Sequence, residues 1–132
     1  MFTSEEQHLN QLVIYQKSLY IFKLVRRITS YVTNDKNVLE MYVSNERSDR
    51  YADNLLINAL GLVPKIVETE CQENPSLKLK YAVSIRYFID CLYQNCLLLE
   101  STKIQGKDFV KLLRKELKNL RQIHRNYVKS LL

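Results

Sequence analysis

The stretch KDFVKLLRKELKNLRQIHRNYVKS, residues 107–130, decides how this chain is read. At about 100° of rotation per residue, Lys103, Lys107, Lys111, Arg114, Lys118, Arg121, Arg125 and Lys129 fall within an arc of about 80°. Phe109, Leu113, Leu117, Leu120, Ile123, Tyr127 and Leu131 fall on the opposite side. The pattern predicts a helix over about 107–131, opened by Gly106, with one face for packing and a nearly pure cationic face. Residues 103–132 hold nine Lys/Arg against Asp108 and Glu116, a net +7, whereas the first 102 residues hold eleven basic and twelve acidic groups, a net −1. The formal charge of +6 therefore belongs to one segment. An ordinary solvated helix mixes signs, because Glu–Lys pairs four apart stabilise it and like charges do the reverse.

Working outward, 132 residues suffice for one domain with a core of its own, without disulfides or a structural metal. Two glycines and two prolines are too few for the tight turns of a many-stranded sheet protein. The 46% hydrophobic and 26% charged fractions are those of a globular chain. The opening MFTSEEQHLNQL is acidic where a signal peptide is basic, and no apolar run of membrane-spanning length follows. Cys71, Cys91 and Cys96 are an odd set without framework spacing, so reduced thiols in a cytoplasmic protein are expected.

Three further segments have helical periodicity. From about Ser4 to Val32, Leu9, Leu12, Leu19, Phe22, Val25, Ile28 and Val32 recur by threes, fours and sevens, and Thr3 with Glu6 fits a capping box. A polar connector, 33–47, contains VLEMYV, long enough for a short turn of helix. Residues 48–73 continue through Tyr51, Leu55, Ala59, Val63, Ile66 and Glu70. Gly61 and Pro64 lie inside this segment, and the missing proline N–H predicts a bend rather than a stop. Asn74-Pro75-Ser76 reads as the turn before a helix over 77–101, with Tyr81, Ile85, Phe88 or Ile89, Leu92, Cys96 and Leu99 inward. Four helices of similar length with short connectors predict an all-α, antiparallel up-down four-helix bundle in a single domain, 1–132.

The stretches IYQKSL (Ile14–Leu19) and ALGLVPKIVE (Ala59–Glu68), followed by YAVSIRYFIDCLYQNCLLLESTKI and a basic last helix, resemble a family of bacterial four-helix-bundle proteins. That family includes proteins encoded by intervening sequences in large-subunit ribosomal RNA genes and the accessory variability determinants of diversity-generating retroelements. Tyr15, Gln16, Lys17, Pro64, Ile66 and Glu68 match its recurrent residues, whereas Ile57-Asn58 stands where the family carries paired arginines and Thr69 where it carries glycine. The resemblance implies a homopentameric barrel. In the retroelement branch it also implies a basic surface for nucleic acid and a partner reverse transcriptase.

Catalytic patterns are missing from the sequence: there is no phosphate-binding glycine loop, Cys-x-x-Cys or His-x-x-x-His, and His8 and His124 are far apart. No enzymatic activity, cofactor or metal is expected. Cys91 and Cys96 point about 140° apart on a helix and read as small packing residues. Glu116 falls in the apolar arc of the last helix, which calls for a basic partner on a neighbouring helix or a polar contact between subunits. Of nine tyrosines, Tyr15, Tyr81 and Tyr127 read as core residues with hydroxyls at the rim. Tyr20, Tyr42 and Tyr87 either pack or, if exposed, stack on bases, with packing the preferred reading.

Three explanations compete for the cationic stripe besides plain solvation. Regularly spaced cations along about 35 Å of helix can follow a phosphate backbone and release its counterions. They can instead dock an acidic protein in a purely structural oligomer with no nucleic-acid role. A membrane surface fits less well, because the apolar arc is needed to close the bundle. No base-reading motif is present, so binding of structured RNA, an RNA–DNA hybrid or DNA would rest on phosphates and shape. The expectation is an oligomeric nucleic-acid-binding accessory protein whose contacts are Lys103, Lys107, Lys111, Arg114, Lys118, Arg121, Arg125 and Lys129.

Overall fold

The computed structural model describes residues 3–132 and is all-helical among them. Six helices follow one another: α1 (Ser4–Gln11), α2 (Val13–Val32), α3 (Val38–Val43), α4 (Arg47–Glu70), α5 (Pro75–Glu100) and α6 (Lys107–Ser130). The four long helices pack in a cycle, α2 on α4, α4 on α5, α5 on α6 and α6 on α2. Their inward residues form one core, which includes Ile21, Val25, Leu55, Leu62, Ile85, Leu92, Leu113 and Leu117.

The segment expected as one helix over 4–32 is two. Leu12 adopts an extended conformation between α1 and α2, although neither proline nor glycine marks the place. The capping box does form: Glu6 N–H donates to Thr3 Oγ1 at 3.1 Å and Thr3 N–H donates to Glu6 at 2.7 Å. α1 buries nothing of its own; His8 reaches Glu70 at the end of α4, 2.8 Å away. The inward line of α2 is Ile14, Ser18, Ile21, Val25 and Ile28, while Leu19 and Phe22 face α4 across a groove beside Ala59 and Pro64. VLEMYV is α3, capped by Asn37 with Glu40, and only Met41 of it is buried.

α4 runs through Pro64. The lost donor frees the carbonyl of Leu60, and both residues are exposed, so water can take its place. Asn74 caps α5 by accepting from Leu77 N–H, with Pro75 at the first helical position, where a missing N–H costs nothing. Gly106 precedes α6 at φ 81°, and a Cβ there would stand 2.7 Å from the Tyr31 ring. Glycine therefore serves twice, permitting a left-handed backbone and a close approach of the loop to α2. No helix of the described residues is long and apolar enough to cross a membrane.

Candidate nucleic-acid interface

α6 has the core-facing line expected of it: Leu113, Leu117, Leu120 and Tyr127 are buried, with Val110 and His124. Phe109 is the exception; half-exposed, it meets the Tyr31 ring edge-on at 5.7 Å between centroids. Glu116 pairs with Lys17 of α2, both half-buried, so the carboxylate in the apolar arc has its partner on a neighbouring helix.

The eight cations divide. Arg114 and Arg121 are taken up within the fold. Arg114 Nε and Nη2 lie 3.0 and 3.1 Å from the Glu100 carboxylate of α5, and the Tyr93 hydroxyl together with Glu100 holds its pKa above the ordinary value. Arg121 pairs with Asp90 at 3.2 Å and lies over the Tyr93 ring at 4.1 Å. On a helical wheel centred on Leu120, these two arginines lie about 100–120° from the core direction. That is the flank where α5 passes. Lys111, Lys118 and Lys129 lie about 160–180° from it and point to solvent.

Lys103, read from periodicity as the first cation of the arc, lies outside α6 in the α5–α6 connection, where the turn at Gly106 takes it off the helical wheel; it is exposed. On α6, Lys111, Lys118, Arg125 and Lys129 are exposed, and so is Lys115, which flanks the stripe; Lys107 is half-buried in the first turn. Among the described residues none of these has a carboxylate within 4.0 Å, and Arg125 meets only the Gln122 side chain, at 3.2 Å. The outer face of α6 is therefore a row of uncompensated cations.

A second basic group escaped the sequence reading. Lys23, Arg26 and Arg27 of α2 line an open cleft together with residues of the α2–α3 and α5–α6 connections. The signal was the run FKLVRR, residues 22–27, but summing charge over 102 residues hid it behind acids elsewhere.

The far end of the bundle holds the other polar cluster. Glu70 accepts from Tyr127 Oη at 2.5 Å, meets His8 at 2.8 Å and pairs with Lys78 at 3.3 Å. Burial pushes its pKa up, but these three partners outweigh it and the net direction is down. The cluster joins α1, α4, α5 and α6. Asp53 is its opposite: buried, with Oδ1 unpartnered, its carboxyl is pushed up by burial. Of the tyrosines, Tyr127 is buried and Tyr15 and Tyr81 are half-buried, whereas Tyr20, Tyr42 and Tyr87 are exposed. Among the described residues no group of three or more His, Cys, Asp or Glu is placed to hold a metal ion. Cys96 is buried, which pushes its thiol up to about 12, and all three cysteines are free. Compared with family models, curated proteins and solved structures, the chain matches none of them.

Proposed function

We propose that this protein is a non-enzymatic, nucleic-acid-binding accessory subunit whose phosphate contacts are the exposed cations of α6. One observation carries this reading. Lys111, Lys118, Arg125 and Lys129 stand along one exposed face of α6, with Lys103 exposed in the connection before it, and none of them has a carboxylate partner among the described residues. With Lys107 and Lys115 included, like charges stand three or four residues apart at 107/111, 111/115, 115/118 and 125/129, a spacing that costs helix stability unless an anion covers the face. A phosphate backbone is an extended anion long enough to follow this face, and its counterions are released on contact. The ligand is structured RNA, an RNA–DNA hybrid or DNA, engaged by charge and shape.

The proposed architecture is an antiparallel up-down bundle. It is supported by Glu70 at the end of α4 meeting Lys78 near the start of α5, and by Glu100 at the end of α5 meeting Arg114 of α6. The resemblance carried by IYQKSL and ALGLVPKIVE adds assembly as a homopentamer and a reverse transcriptase as protein partner, in the cytoplasm. Self-association is further supported by large apolar side chains exposed on α3, α4 and α5, among them Leu39, Tyr42, Ile57, Leu60 and Tyr87.

The test is binding to an RNA hairpin, a DNA duplex and an RNA–DNA hybrid across a salt series. A variant with Lys111→Gln, Lys118→Gln, Arg125→Gln and Lys129→Gln runs in parallel. The wild type should bind at least one of them with log affinity falling against log salt at a slope of roughly −4 to −6, and the variant slope should be shallower by about 3. Arg121→Gln alone should leave the slope unchanged, since Asp90 and Tyr93 already engage that residue. Absence of binding to all three at about 50 mM salt overturns the reading. The stripe is then a docking face for an acidic protein.

A further inference from the structure

The cleft at the C-terminal end of α2 has a chemistry of its own. It encloses about 610 Å³ and opens to solvent, a size within the roughly 300–1,000 Å³ typical of small-ligand sites. Lys23, Arg26 and Arg27 line it, and none of the three has a carboxylate within 4.0 Å among the described residues. Arg26 leans toward the Phe22 ring, 5.9 Å from its centre, which orients the guanidinium while leaving its N–H edge free. Tyr31 forms another wall. Its ring is held edge-on by Phe109 and approached by Gly106, yet remains 51% exposed, so one part of the ring is free to take a stacked partner. The remaining wall is polar, with Gln105 from the α5–α6 connection and Asp35, a carboxylate, from the turn after α2.

Each part selects a different feature of a ligand. Three clustered cations call for a phosphate rather than a single carboxylate, and arginine can grip it with paired N–H groups. An aromatic face beside them calls for a planar group. A carboxylate at the rim repels a bare anion but accepts hydrogen bonds from sugar hydroxyls, as acidic residues do in nucleotide sites. We propose that this cleft binds a phosphorylated nucleoside, with its phosphate on Lys23, Arg26 and Arg27, its base on Tyr31 and its ribose toward Asp35. The site lies on α2 and does not depend on the role given to α6. A free nucleotide and the 5′-phosphorylated end of a strand share this chemistry.

Calorimetric titration of the full chain tests it with adenosine monophosphate, adenosine, inorganic phosphate, and a short oligonucleotide with and without a 5′-phosphate. The nucleotide should bind at least about tenfold more tightly than either adenosine or inorganic phosphate. Arg26→Gln with Arg27→Gln should weaken it by at least about tenfold, at an unchanged melting temperature, since both side chains are exposed. Tyr31→Ala should weaken the nucleotide but not inorganic phosphate. The Lys111/Lys118/Arg125/Lys129 variant should bind the nucleotide as the wild type does, which separates this site from the stripe. Preference for the 5′-phosphorylated oligonucleotide over the free nucleotide assigns the site to strand ends, and the reverse preference to a soluble nucleotide. The proposal is overturned if adenosine monophosphate at about 1 mM gives no heat, if inorganic phosphate binds equally well, or if the two arginine substitutions change nothing.

Discussion

His124 is buried against α5, where its Nε2–H donates to the Ala82 carbonyl at 2.8 Å. Burial pushes its pKa down, Arg86 adds to this, and the Ala82 contact and Asp90 oppose it without reversing the direction. The unfolded chain takes up a proton near the ordinary value of 6.5 while the folded one resists it. Stability is therefore full above that pH and declines as pH falls through it. Urea midpoints at pH 7.5 and 5.5 should differ in that sense, and His124→Gln should flatten the difference. An unchanged pH slope in the variant would show that His124 is not the group that titrates in this window. At this scale the sequence was readable only in part. The odd position of Glu116 in an apolar arc announced a partner, but Lys17 is 99 residues away and only packing identifies it.

α4 and α5 meet where Gly61 faces Phe88. A Cβ at Gly61 would come within 2.5 Å of the ring, so the glycine serves close packing between helices rather than backbone freedom. Two effects then compete in Gly61→Ala: helix propensity favours alanine by about 1 kcal/mol, whereas overpacking costs about 1–3 kcal/mol. The single substitution should destabilise by about 1 kcal/mol, and in a Phe88→Ala background it should become stabilising, a coupling that a double-mutant cycle reads directly. Additivity would show that the ring moves aside freely. The element boundaries divide in the same way. The observed starts and ends of α4, α5 and α6 fall within a few residues of those predicted by periodicity, because Gly106 and Asn74-Pro75 act locally. The break at Leu12 has no local marker. It coincides with α1 leaning onto the end of α4 through His8 and Glu70, a contact between residues 62 apart.

For the whole molecule, exposed apolar side chains are most numerous on α3, α4 and α5, although α2 (Val13, Tyr20, Tyr31) and α6 (Phe109, Leu112) carry some as well. The cations occupy α6 and the outer part of α2, whereas Leu39, Tyr42, Ile57, Leu60 and Tyr87 belong to α3, α4 and α5. That bias gives α3, α4 and α5 the larger apolar surface for assembly, with the cations of α6 left open. Sedimentation velocity at micromolar concentration should give a mass near five times the 15.7 kDa chain, largely insensitive to salt because apolar contacts hold it. Replacing Ile57 and Leu60 by Glu should reduce the mass. A wild type that sediments as a single chain removes the pentamer and leaves the α6 stripe to act alone.

By itself the sequence determined that the chain is helical and that its last helix carries the charge, since both follow from spacing within one segment and need no knowledge of neighbours. The 3.6-residue period also placed Leu113, Leu117 and Leu120 inward. Only the tertiary structure decided which cations remain free. Arg114 and Arg121 stand in the same arc as Lys111 and Lys118, and the passage of Glu100, Asp90 and Tyr93 on α5 along one edge separates them. The α2 cleft was likewise decided by packing. Its cations are close in sequence, but its wall is completed by Gln105 of the α5–α6 connection, next to Gly106, which lets that connection approach Tyr31 closely. A helical wheel gives direction around one axis, and a site needs the second body that closes it.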